Sequence, residues 1–130
     1  METDRIRLLI VDDEPIVVKR LRQIFEKVGY QVAVFTQGRP ALEDLNNNAY
    51  DIVVTDLRME DVDGMKILEA ARGKNPGIKV IIITAFAEME TAREAFRKGV
   101  FDFITKPFQI DTLKQAIFKA EEEIRSARKS

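Results

Sequence analysis

The sequence predicts an α/β fold, a doubly wound five-stranded parallel sheet with helices on both faces, and three observations predict it. Short apolar runs with no polar alternation, such as Ile52-Val53-Val54 and Val80-Ile81-Ile82-Ile83, read as strands buried on both faces. Segments with apolar residues at helical spacing alternate with those runs, and glycines or prolines punctuate the joints. Parallel neighbours need crossovers, and right-handed crossovers cover both faces of the sheet.

The elements follow in order. Ile6 to Val11 is β1, ending abruptly in Asp12-Asp13-Glu14-Pro15. Acids followed by proline start a helix, because proline's missing N–H costs nothing at the first helical position. That helix, α1, carries Val17, Leu21, Ile24 and Val28 as its expected buried stripe and stops at Gly29. Gln31 to Phe35 is β2, and Gly38 to Asn48 is α2 with Leu42 and Leu45 inward. The run Asp51-Ile52-Val53-Val54-Thr55-Asp56 is β3, and it leaves a carboxylate at its carboxyl edge before an acidic, turn-like segment closing at Gly64. Met65, Leu68 and Ala71 mark α3, which breaks between Gly73 and Gly77. Lys79 to Thr84 is β4, and Glu88 to Lys98 is α4, stopped by Gly99. Phe101 to Thr105 is β5, with Phe101 and Phe103 expected on one face and Asp102 on the other. Asp111 to about Arg125 is α5, with Leu113, Ile117, Ala120 and Ile124 on its stripe.

At 130 residues the chain is expected to form one domain, 1–130, large enough to bury roughly two thirds of its unfolded surface. It has no cysteine, which excludes disulfides and thiolate metal sites and fits a cytoplasmic protein. It has no histidine, which excludes Ser/His/Asp and Cys/His catalysis and phosphate carried on its own imidazole. A formal charge of -1 gives no basic field for direct nucleic-acid binding. No run approaches a membrane span, and the charged Met1 to Arg7 does not read as a signal peptide.

With five units the natural strand order is 2-1-3-4-5, which places ligands beyond the strand carboxyl ends where β1 meets β3. There β1 contributes Asp12 and Asp13, β3 Asp56, β4 Thr84 and β5 Lys106. Lys106 lies two strand steps from Asp56, roughly 10 Å, so it is expected to meet a phosphate built on Asp56 more easily than the bare carboxylate. Three acids in one crevice repel, which raises a pKa or calls for a cation; oxygen ligands without His or Cys suit a hard ion, Mg²⁺ better than a full Ca²⁺ cage. A carboxylate attacks phosphorus only if the anionic oxygens are neutralised. The metal and Lys106 would do that while Thr84 donates a hydrogen bond. The chemistry suggested is an aspartyl phosphate on Asp56.

The segments Ile10-Val11-Asp12-Asp13-Glu14, Val54-Thr55-Asp56-Leu57-Arg58-Met59, Ile83-Thr84-Ala85 and Asp102-Phe103-Ile104-Thr105-Lys106-Pro107-Phe108 resemble receiver domains of two-component response regulators, a flavodoxin-like fold. The resemblance spans essentially the whole chain. It implies that Asp56 accepts phosphate from a sensor histidine kinase or phosphotransfer protein. Asp13 would bind Mg²⁺ directly and Asp12 largely through water, joined by Asp56 and the backbone carbonyl of Arg58. Thr84 and Lys106 would hold the phosphoryl group, and Phe103 would turn inward on activation. The Lys106-Pro107 bond is expected to be cis. The surface of α4, β5 and α5 would then change, where a partner or a second copy would bind; Phe118 is either a contact there or packed under the charged Glu121 to Glu123 segment. Glu60 stands where the family often has proline, and Arg58 and Phe86 occupy positions that tend to modulate phosphate hydrolysis.

Taken singly, these residues have ordinary readings: acids at a helix start, a turn aspartate, solvated strand ends, a core phenylalanine. Their combination at four strand ends is what points to a site. Two rivals stand beside it. A small phosphohydrolase with an Asp nucleophile commonly places a second acid two residues later, where this chain has Arg58. A degenerate receiver would lack some of Asp12, Asp13, Asp56, Thr84 and Lys106, all of which are present. The output is open: residues from about 124 to 130 read either as the tail of a stand-alone regulator or as the start of a linker to an effector. The segment Thr91 to Phe96, with Phe101 to Phe103, looks most like receivers attached to enhancer-binding ATPase activators.

Overall fold

The computed structural model describes residues 5–85 and 87–129. Five strands and five helices alternate strictly: β1 Arg7–Val11, α1 Pro15–Val28, β2 Gln31–Phe35, α2 Gly38–Asn47, β3 Ile52–Asp56, α3 Gly64–Lys74, β4 Lys79–Thr84, α4 Met89–Arg97, β5 Asp102–Thr105 and α5 Ile110–Lys129. The sheet order is β2-β1-β3-β4-β5, with every pair parallel. This is the order the sequence predicts.

Strand alternation divides the core into two layers. Leu8, Ile10, Ile52, Val54, Ile81 and Ile83 face α1 and α5, meeting Leu21, Phe25, Leu113 and Ile117. Leu9, Val11, Val53, Val80 and Ile82 face the other way, toward Leu45 of α2, Leu68 of α3 and Ala95 of α4. All five residues of β3 are buried, as befits the central strand, whereas four of the five in β2 at the sheet edge are half-buried.

Three local expectations need correction. The buried face of α1 is Val18, Leu21 and Phe25, with Val17 and Ile24 flanking it and Val28 exposed. The run Ile16-Val17-Val18 permits either stripe at 100° per residue, and the sheet takes the one that buries the Phe25 ring. Phe101 and Phe103 do not share a face: Phe101 joins the layer of α1 and α5, Phe103 the layer of α2, α3 and α4. Phe101 lies in a bend before β5 begins at Asp102, so strand parity does not apply to it. Its ring instead lies 5.6 Å beneath the Lys79 ammonium. Finally, α5 continues past Arg125 to Lys129; Ile124 is buried, and Arg128 reaches Asp51 at 2.5 Å.

Candidate functional site

The site is built where β1, β3 and β5 end. Along β1, Leu8 and Ile10 point to the α1 and α5 side, and one further alternation sends Asp12 the same way. Ile52 and Val54 do the same for Asp56, and Ile104 for Lys106. The intervening strand β4 ends in Thr84, which shares the opposite side with Ile82. The path over β4 is therefore left to the lysine stem, and Lys106 crosses it. Its Nζ donates to Asp12 Oδ2 at 2.7 Å and Asp56 Oδ2 at 3.0 Å. The expectation that Lys106 meets a phosphate more easily than the bare carboxylate understated its reach.

Asp12 is fully buried and Asp56 is 6% exposed, so both carboxylates need partners. Besides Lys106, Asp12 accepts from the Glu14 backbone N–H through Oδ1 at 3.0 Å. Asp13 is exposed beside them, and carboxylate oxygens of Asp12, Asp13 and Asp56 lie within 4.8 Å of one another. Burial disfavours the Lys106 ammonium, but its hydrogen bonds to Asp12 and Asp56 outweigh that and raise its pKa above the usual lysine value.

Thr84 is buried at the end of β4, and Phe103 is half-buried on β5. Phe103 pairs with Ile82, so Thr84 stands two residues beyond that register on the same face. The Lys106-Pro107 bond is cis. Arg58 is exposed in the segment after β3, Phe118 is 41% exposed on α5, and Phe86 lies outside the described residues.

Two residues were missed. Glu14, read only as a helix-start acid, makes no side-chain cap, and its Oε1 lies 3.3 Å from Lys106 Nζ. Its place in the Asp-Asp-Glu run was the available signal. Asp61 accepts from the Gly38 and Arg39 backbone N–H groups, 2.9 and 2.8 Å away, at the start of α2. No spacing rule links positions so far apart in sequence.

The donor set fits a hard divalent cation: three carboxylates, no soft ligand, and a solvent-facing member in Asp13. Among the described residues, no helix is long and apolar enough to cross a membrane.

Comparison with known proteins agrees with this geometry. A receiver domain protein from Methanospirillum hungatei JF-1 superposes with a TM-score of 0.90 at 28% identity, covering 95% of this chain and 98% of that one. The response regulator TrrA from Thermotoga maritima, solved in complex with Mg²⁺ and BeF, gives 0.78 at 27% identity, over 88% and 98%. The transcriptional regulatory protein ZraR of Escherichia coli K12 is 38% identical over 120 residues, 92% of this chain. The chain spans 27% of that relative's length. The profile of the response regulator receiver domain matches residues 8–118. The chain belongs to the response regulator receiver domain family.

Proposed function

We propose that Asp56 accepts a phosphoryl group from the phosphohistidine of a sensor kinase or phosphotransfer protein. The observation that carries this is the Asp56 carboxylate at the carboxyl end of the central strand β3, with the Lys106 ammonium 3.0 Å away and two further acids beside it. In the transfer, the phosphorus–nitrogen bond of the donor breaks as a bond from an Asp56 oxygen to phosphorus forms. The imidazole leaves with the electron pair. Lys106, already at the site, offsets charge on the phosphoryl oxygens, and Thr84 donates to one of them. Asp13, Asp56 and the Arg58 carbonyl would hold Mg²⁺, with Asp12 acting largely through water. Bound there, Mg²⁺ supplies charge neutralisation for the incoming oxygens.

The transfer sets a switch rather than a turnover cycle. Charge-assisted bonds of roughly 1.5 to 3 kcal/mol each reward the conformation that brings Thr84 and Lys106 to the phosphate. Two or three of them match the roughly 5.5 kcal/mol needed to move a population from 1:99 to 99:1. Thr84 drawn toward the phosphate vacates space on the face it shares with Phe103, and the α4–β5–α5 surface changes. That surface already exposes Met89, Phe96 and Phe118, which favours a partner or a second copy there. An effector joined after α5 is the output suggested by relatives several times longer than this chain. Arg58, standing where small phosphohydrolases commonly carry a second acid, supports the switch over an enzyme that turns over phosphoesters.

Amide NMR with Mg²⁺ and beryllofluoride tests this reading. Shifts are expected around Asp56, Thr84 and Lys106 and onward to Phe103, and none from beryllofluoride without Mg²⁺. The same shifts in Asp56→Asn would contradict it.

A further inference from the structure

The segment between β3 and α3 is fastened at its base and near its tip. At the base, the Gly64 N–H donates to the Leu57 carbonyl at 2.7 Å. A Cβ on Gly64 would fall 2.3 Å from the Asp56 carbonyl oxygen, so only glycine lets the two ends meet. Near the tip, Asp61 Oδ1 accepts from Gly38 N–H at 2.9 Å and from Val62 N–H at 2.8 Å, while Oδ2 accepts from Arg39 N–H at 2.8 Å. The residue that should cap α2 from within, Gln37, makes no side-chain cap bond. Asp61 therefore caps α2 from a distant loop, where the helix dipole favours a carboxylate. The contact is close on both sides: a Cβ on Gly38 would fall 2.8 Å from the Val62 carbonyl oxygen and 2.9 Å from Val62 Cβ.

Arg58 sits between these two fastenings. We infer that Asp61 is a positioning residue for cation binding: by tying its loop to the start of α2 it holds the Arg58 main chain where its carbonyl can join Asp13 and Asp56 around a cation. The inference rests on the metal reading given under Proposed function. It also accounts for Glu60, since a loop clamped by Asp61 needs no proline ring at that position to limit its freedom. The bonds from Arg39 and Gly38 keep the Asp61 carboxyl below its ordinary range, so the clamp is in its charged form at neutral pH.

A merely structural cap would stabilise α2 and leave the cation untouched, and a control separates the two. Lys74, at the opposite end of α3 from the loop, caps the other end of α2 by donating to the Leu45 and Asn48 carbonyls. Mg²⁺ titrations followed by amide NMR on wild type, Asp61→Ala, Asp61→Asn and Lys74→Ala, with hydrogen exchange on the Mg²⁺-free proteins, give the test. Asp61→Ala is expected to weaken Mg²⁺ binding roughly tenfold, the scale on which supporting residues act on metal affinity. Its amides from 58 to 62 exchange faster even without Mg²⁺. Asp61→Asn, which keeps one acceptor oxygen, falls between it and wild type. Lys74→Ala lowers the melting temperature but leaves affinity within about twofold, as expected of a site remote from the loop. Wild-type affinity in Asp61→Ala, or an equal loss in Lys74→Ala, overturns the role of Asp61 and leaves the metal site standing. A wild-type protein that shows no Mg²⁺ shifts overturns the metal reading and this inference with it.

Discussion

Lys106 Nζ stands 3.0 Å from Oδ2 of Asp56, although the two residues end strands separated in the sheet by β4. The same ammonium contacts the fully buried Asp12 at 2.7 Å, so one cation serves two carboxylates with little access to water. Lys106→Met removes that cation and leaves both acids uncompensated. A loss of about 3 kcal/mol in urea unfolding at pH 7 without Mg²⁺ is expected, in the range measured when a buried charge loses its partner. Stability equal to wild type at pH 7 would show that water, not Lys106, balances the pair.

Asp13 contributes charge to the cluster without sharing in the Lys106 bonds. Asp13→Asn relieves repulsion, so in the absence of Mg²⁺ its melting temperature is expected to rise by a few degrees while Mg²⁺ affinity falls. Calorimetry with and without Mg²⁺ checks both. A lower melting temperature without the ion would mean that the three acids do not repel appreciably.

Gly64 leaves no room for a side chain against the Asp56 carbonyl. Gly64→Ala forces its Cβ to within 2.3 Å of backbone that cannot retreat without moving Asp56. A destabilisation of about 2 to 3 kcal/mol is expected, as for overpacking in a core. Gly73→Ala, where a Cβ meets nothing within 4 Å, is the control and is expected to be neutral or stabilising. Equal effects from the two would remove the steric explanation.

Alkaline pH acts on three groups in the same direction. Lys106 is raised as described, Tyr30 is raised by burial and then by its hydrogen bond to Glu121, and Tyr50 by burial and then by its bond to Asp44. A raised pKa means that the folded state keeps its proton longer. The stability linked to these protons is complete below the unfolded values of about 10 for tyrosine and about 10.4 for lysine, and is lost as pH rises through the folded ones. The urea midpoint is therefore expected to fall above about pH 10, and to fall less steeply in Tyr30→Phe. A flat midpoint to pH 11 would contradict these shifts.

What the sequence carried well was period and punctuation. Runs such as Val80 to Ile83 have one reading once helices separate them, and strand order then puts Asp12, Asp56, Thr84 and Lys106 at one edge. Rotation and reach were less legible. Three apolar residues in succession at the start of α1 admit two stripes, and only packing against the sheet selects Val18, Leu21 and Phe25. Counting strand steps from Lys106 to Asp56 ignores which face each side chain takes, yet shared parity is what lets the stem cross β4. Asp61 was invisible because its partners, Gly38 and Arg39, are reached through the fold and not through any local pattern.

The phosphoacceptor assignment is tested most directly by intact mass after incubation with acetyl phosphate and Mg²⁺. Wild type is expected to gain the mass of one phosphoryl group, dependent on Mg²⁺ and lost on standing, while Asp56→Asn gains none. Equal gain in the two proteins would contradict Asp56 as the acceptor, and no gain in wild type would favour a receiver that serves only as a binding module.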